Sequence, residues 1–242
     1  MDRTLVIGDI HGGLRALVQV MKRAEVSPGD KLIFLGVYVD GWSDSANVVT
    51  YLNELGQQNS CIFMRGNHDD LTYRWLKDGE LNDQWLQHGG QSSIDAYRKF
   101  EEHEISQHLE FYEQMVNYYI DNENRLFVHA GFTNQKGPEN EYTPTPFYWD
   151  RTLWEMAMAM DPSLKPDHFR FPARLRLFNE IFIGHNPVTR IGKTKPVKFG
   201  NVYNIDTGAA FKGRLSLMDV DTKEVIQSDP VYQLYPEEKG RN

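Results

Sequence analysis

A chain of 242 residues, 40% of them hydrophobic, can bury a sizeable core, and its length suits one large domain spanning 1–242. Its 34 acidic residues outnumber its 26 basic ones for a net charge of −8, which argues against a nucleic acid or an anionic membrane surface as partner. One cysteine, Cys61, excludes an internal disulfide framework, and no apolar run approaches the roughly 20 residues needed to cross a bilayer. The expected compartment is the cytoplasm.

Strands and helices alternate through the first half. Leu5–Ile7 reads as a short strand that begins too early for a signal peptide. Leu14, Leu17, Val18 and Met21 then recur at helical spacing and predict an amphipathic helix over Leu14–Glu25. Ser27-Pro28-Gly29-Asp30 makes a turn into a strand at Lys31–Leu35. Val48, Val49, Leu52 and Leu55 mark a second helix, and Cys61–Met64 a third strand. That order implies parallel strands joined by right-handed crossovers. A helical insertion is expected at about 70–117, with Ile105, Leu109, Tyr112 and Val116 on one face. Residues 133–146, polar and carrying three prolines, read as a flap near a functional site. Strand patterns return at Leu126–Val128, Ile181–Ile183 and Val202–Ile205. A late hairpin pairs Leu215–Val220 with Glu224–Gln227. Parallel strands followed by antiparallel ones point to a mixed-sheet α/β fold.

The residues just beyond the strands carry the most information. Five apolar runs lead into Gly8-Asp9-Ile10-His11, Gly36-Val37-Tyr38-Val39-Asp40, Gly66-Asn67-His68-Asp69, His129-Ala130-Gly131 and Gly184-His185-Asn186. Ligands of open α/β sheets bind beyond the carboxyl ends of the strands, so these five ends should converge. Glycine permits the sharp turn and the close approach of an ion or phosphate. Histidine, aspartate and asparagine form a nitrogen and oxygen donor set suited to manganese first, with iron, zinc or magnesium also fitting. The pattern is that of a metal site.

Gly8-Asp9-Ile10-His11-Gly12, Gly66-Asn67-His68-Asp69, the later His129 and the Gly184-His185 pair together resemble the phosphoprotein-phosphatase branch of the calcineurin-like metallophosphoesterases, in order from Gly8 to about Gly208. The resemblance implies a four-layer sandwich of two mixed β-sheets flanked by helices. It implies that Asp9 and His11 hold one divalent ion and that Asn67, His129 and His185 hold a second. His68 would be the general acid, oriented by Asp40 and kept protonated by it. Arg151, in Phe147-Tyr148-Trp149-Asp150-Arg151, would grip phosphate oxygens, while Arg65 and Asp206, in Asn204-Ile205-Asp206-Thr207-Gly208, would serve as support. The physical logic is that two cations neutralise the phosphoryl oxygens, a positioned acid protonates a poor leaving group, and a guanidinium fork matches the oxygens bidentately.

Two departures qualify that expectation. The family's second motif reads Gly-Asp-x-Val-Asp-Arg-Gly, whereas this chain has Gly36-Val37-Tyr38-Val39-Asp40-Gly41-Trp42. Gly41 stands in place of a phosphate-contacting arginine, and Val37 in place of the aspartate that bridges both ions. Valine has no lone pair to offer, so metal affinity and activity should both be impaired. The leading expectation is a serine/threonine-type protein phosphatase acting on a phosphorylated substrate. The alternatives are a dinucleoside polyphosphate hydrolase and a non-catalytic pseudophosphatase that binds phospho-ligands.

Weaker signals fall away. His103 and His108 lie five residues apart, roughly 140° around a helix, so they cannot share an ion, and a solvated face is expected there. His88 carries no partner signal. Trp75, Trp85 and Trp154 read as core.

Overall fold

The structure is a computed structural model that describes residues 3–241. Ten strands form two mixed sheets of five. They are β1 (Thr4–Ile7), β2 (Lys31–Phe34), β3 (Ser60–Phe63), β4 (Tyr118–Ile120), β5 (Arg125–Val128), β6 (Glu180–Ile183), β7 (Val197–Phe199), β8 (Val202–Asn204), β9 (Ser216–Asp219) and β10 (Val225–Gln227). The first sheet runs β10-β9-β1-β2-β3, with β1, β2 and β3 parallel and the β9–β10 hairpin antiparallel. The second runs β4-β5-β6-β8-β7, parallel at its centre and antiparallel at both edges.

Side-chain alternation builds the layers. Leu5 and Ile7 of β1 and Leu32 and Phe34 of β2 face outward, onto α1 (Leu14–Arg23) and α2 (Ser45–Gln58). Val6 and Ile33 face inward and meet Phe127, Phe182 and Ile205 of the second sheet. Successive strand residues point to opposite faces, and both faces here are buried, which is why these strands read as continuous apolar runs. Leu126, Val128, Ile181 and Ile183 point the other way, onto later helices. Helix, sheet, sheet, helix is the four-layer sandwich expected.

The insertion between β3 and β4 is helical. It holds α3 (Asn67–Asp78), α4 (Asp83–Trp85), a π-turn at Leu86–Gly90, α5 (Gln91–Tyr97) and α6 (Glu102–Gln114). Later come α7 (Thr145–Trp149), α8 (Thr152–Ala159), α9 (Ala173–Arg176) and α10 (Val231–Leu234). Three expectations are corrected. The first helix stops at Arg23 because Glu25 turns left-handed, φ 48°. Val116 lies beyond α6, in a parallel bridge to Met64, and is exposed. His108 is buried rather than solvated, between Thr50 and Tyr97, while His103 does face water; the angle that keeps the two histidines apart puts one inside and one outside. Among the described residues, no helix is long and apolar enough to cross a membrane.

Candidate metallophosphoesterase site

The ends of β1, β2, β3, β5 and β6 meet at one edge of the sandwich. Asp9, His11, Asn67, His68, Arg151 and His185 line a common small cavity there, which opens into a cleft of about 670 Å³. His129 lies just behind the cavity, fully buried, with its ring 5.0 Å from that of His185. Asp40 lies behind His68. Val37 occupies its place in the motif as apolar packing, fully buried. The structure therefore brings together every site residue expected from the sequence.

The backbone here is shaped for the site. His11, Asp40 and His185 have φ of 54°, 66° and 65°, a left-handed conformation that residues other than glycine rarely adopt. Such conformations persist where surrounding structure enforces them, and they cluster at functional sites. A side chain at Gly184 would collide with Asp9 Oδ1, its Cβ only 2.1 Å away, so the β6 loop can approach Asp9 only with glycine there.

The imidazoles are oriented from behind. His11 Nδ1 lies 2.8 Å from the Asp40 carbonyl and His129 Nδ1 lies 3.0 Å from the Leu35 carbonyl. A carbonyl only accepts, so both Nδ1 atoms carry the proton and both Nε2 lone pairs face the site. The Nε2 of His129 then faces Asn67 Oδ1 at 3.0 Å, acceptor to acceptor, and the Nε2 of His185 is sealed from solvent with no hydrogen-bond partner. Lone pairs gathered in this way fit a cation. Burial is the main force holding all three imidazoles below their ordinary pKa, as neutral ligands should be; His129 falls to about 3 although the hydrogen bond to the Leu35 carbonyl opposes it.

The opposite side is less complete. Asp9 Oδ2 lies 3.7 Å from His11 Nε2. Burial, then the charge of Asp206, raises the Asp9 carboxyl well above the usual carboxylate range. Asp206, for which a support role is expected from the sequence, stands two residues beyond β8. It lines the same cavity, and burial brings it to about 6 against the hydrogen bond it accepts from the Gly208 N–H. Among the described residues no three His, Cys, Asp or Glu side chains close around one point. With valine at 37 the donors divide into a pair, Asp9 and His11, and a trio that includes an amide, Asn67, His129 and His185. The trio fits an ion; the pair is short of one ligand.

The acid side is built separately. Asp40 is buried and accepts from Trp85 Nε1 at 2.5 Å and Ser93 Oγ at 2.5 Å, with His68 Nδ1 at 2.7 Å. This leaves His68 Nε2 as the nitrogen available to the cleft. Burial raises Asp40 to about 7, opposed by the Ser93 and Trp85 hydrogen bonds, while burial and then Arg241 push His68 down. That direction is opposite to the expected protonated imidazole. Desolvation of the ring outweighs the carboxylate beside it, so the pair as a unit handles the proton.

Arg151 precedes α8, whose first turn is pinned by Asp150 through the N–H groups of Thr152, 2.9 Å, and Leu153, 3.0 Å. Arg65 faces away, over the Tyr73 ring at 4.6 Å. The residues not foreseen are Arg190, Arg241, His88 and Phe211, all on the cleft wall. Trp85 is core, as expected, and also a donor to the site. Of the 133–146 loop only its end, Thr145, reaches the cleft; the rest folds on itself around Glu141, which accepts from the Asn134 N–H at 2.8 Å.

The structure is similar to that described as a putative diadenosine tetraphosphatase, with TM-score 0.63 and 18% identity over 93% of this chain and 92% of that one. It is also similar to a protein serine/threonine phosphatase from Saccharomyces cerevisiae, with TM-score 0.62 and 15% identity over 94% and 80% of the two chains. In sequence it is 26% identical to a bis(5'-nucleosyl)-tetraphosphatase PrpE [asymmetrical] of Anoxybacillus flavithermus, over 98% of this chain and 97% of the relative. A protein of the same description from Geobacillus thermodenitrificans is 27% identical over 93% and 94%. The family model described as calcineurin-like phosphoesterase matches residues 2–208. With that match spanning most of the sequence and the motif residues gathered at one sheet edge, this chain belongs to the calcineurin-like phosphoesterases.

Proposed function

We propose that this chain is built as a divalent-metal-dependent hydrolase of dinucleoside polyphosphates, and that Val37 weakens its metal binding and slows its turnover. The observation that carries the substrate class is the cleft wall. Arg151, Arg190 and Arg241 share it with the aromatic side chains of Trp149 and Phe211. A single phosphate needs one or two such forks. Three guanidiniums beside the exposed ring of Trp149 suit a run of phosphates ending in a base. Relatives named as nucleosyl tetraphosphatases support this reading over the protein phosphatase first expected.

Asn67, His129 and His185 would hold one ion, and Asp9 and His11, with Asp206 beside them, a weaker second. Bound metal would supply charge neutralisation at the phosphoryl oxygens. The arginines bind and orient the polyphosphate. The His68–Asp40 pair, when it carries a proton at His68 Nε2 besides the one between Nδ1 and Oδ2, delivers the Nε2 proton to the departing phosphate oxygen and keeps the inner one, and Trp85 and Ser93 hold Asp40 in register.

The test is a substrate panel in manganese for this chain and its Val37→Asp form. The variant should hydrolyse diadenosine tetraphosphate at least about tenfold faster than the parent, since even outer-sphere changes at metal sites cost about 10–100-fold. It should also prefer the dinucleotide to a phosphothreonine peptide. Preference for the peptide would overturn the substrate class. Val37 also favours a second reading, binding without turnover. A Val37→Asp protein that binds the dinucleotide and leaves it intact would establish that one instead.

A further inference from the structure

The least expected group in the cleft is Arg241, which packs against Gly41. Gly41 has φ 133° and no side chain; a Cβ built there would lie 3.4 Å from Arg241 Cγ. Gly89, φ 110°, on the π-turn, faces the same atom, its Cβ position 3.2 Å away. The stem of Arg241 therefore runs through a slot between two glycines, over the place from which a side chain at 41 would project. The slot leads its guanidinium into the cavity that Asp9, His11, His68 and Arg151 line.

The backbone delivering it is anchored. The Arg241 N–H donates to the Ala210 carbonyl at 2.9 Å. Glu238 accepts from Ser43, at 2.9 Å from the backbone N–H and 2.6 Å from the hydroxyl. The guanidinium lies 5.5 Å over the Phe211 ring. Its Nε is nevertheless buried without an acceptor, and no carboxylate lies within ion-pair distance of the side chain among the described residues. Asp9, Asp40 and Asp206 act on it only through space. A largely buried guanidinium with donors unspent calls for an anion from outside.

Resting on the phosphoryl-binding reading of the cleft, we propose that Arg241 is a phosphate-binding residue that replaces, from the far end of the sequence, the guanidinium that the second motif lacks at Gly41. Its ligand is the phosphate chain of the substrate.

The experiment is calorimetric binding of inorganic tripolyphosphate to metal-free protein. The parent is compared with Arg241→Met, which keeps the stem in the slot, with Arg241→Lys, and with Arg151→Ala; melting curves verify that each is folded. Arg241→Met should bind about ten- to a hundredfold more weakly than the parent, the range for a charge-assisted hydrogen bond, and Arg241→Lys should fall between. If Arg151→Ala weakens binding while Arg241→Met leaves it unchanged, the assignment of Arg241 fails and the cleft reading survives. If Arg241→Met binds more tightly, the side chain is a plug and the assignment also fails. A parent that binds no tripolyphosphate overturns the cleft reading and the assignment with it.

Discussion

Val37 stands fully buried where the resemblance expects an aspartate. Its side chain joins the apolar cluster beneath α1 and α2, and its Cγ2 would meet a Cβ at Gly66 at 2.7 Å, so the pocket is tightly closed. An aspartate there would add a buried carboxylate close to Asp69, whose Oδ2 shares the Gly66 contact and which burial already raises to about 7. Metal-free Val37→Asp should therefore melt below the parent. Manganese should raise its midpoint in a way the parent does not match, by about 2.7 kcal/mol at a hundredfold excess over Kd, or roughly 5–10 °C for a chain this long. Identical melting with and without manganese would remove the claim that position 37 governs ion binding. Ser93 offers a quieter case. Its hydroxyl accounts for one of the short hydrogen bonds to buried Asp40, so Ser93→Ala should cost roughly 1–3 kcal/mol in urea denaturation, the penalty for a buried charged acceptor left short of a donor.

At the scale of elements, α6 carries a pH response. His108 is buried against Thr50 of α2 and Tyr97 of α5, and burial lowers its pKa to about 4 from the ordinary 6.5. The unfolded chain binds the proton first as pH falls, so the stability tied to neutral His108 is complete above pH 6.5 and is lost between 6.5 and 4. The loss is at most about 3.4 kcal/mol. His108→Gln should lose less stability than the parent between pH 7 and 5, and equal slopes would refute the burial argument. That histidine also shows where the sequence stopped being readable. Periodicity placed α1, α2 and the central strands because long apolar runs buried on both faces leave a strong signal. Tyr118–Ile120 and Val197–Phe199 went unseen because three-residue edge strands, half-exposed, carry no alternation long enough to register. The site was legible for a related reason: Asp9, His11, Asn67, His68, His129 and His185 each follow a strand or open the loop beyond it. Arg190 and Arg241 obey no such rule, and nothing near Arg241 in the sequence hints that it folds back onto Gly41.

At the scale of the whole molecule, the second sheet presents to the first a row of stacked rings carried on its neighbouring strands β5, β6 and β8. Phe127 and Phe182 lie 4.9 Å apart and 9° from parallel, and Phe182 and Tyr203 lie 5.0 Å and 11° apart, with Lys223 over the last two. Phe182 is the middle member and wholly buried. Phe182→Ala should cost about 3–5 kcal/mol, and through the β6 end that carries His185 it should weaken manganese binding as well. Unchanged metal affinity in the folded variant would show that the sheets position the site independently of this stack. The depth of the chain's return to its beginning has a consequence for biosynthesis. Asp9 and His185 stand 176 positions apart in the chain, so the cavity between their loops cannot close until β6 has been made and has paired with β5.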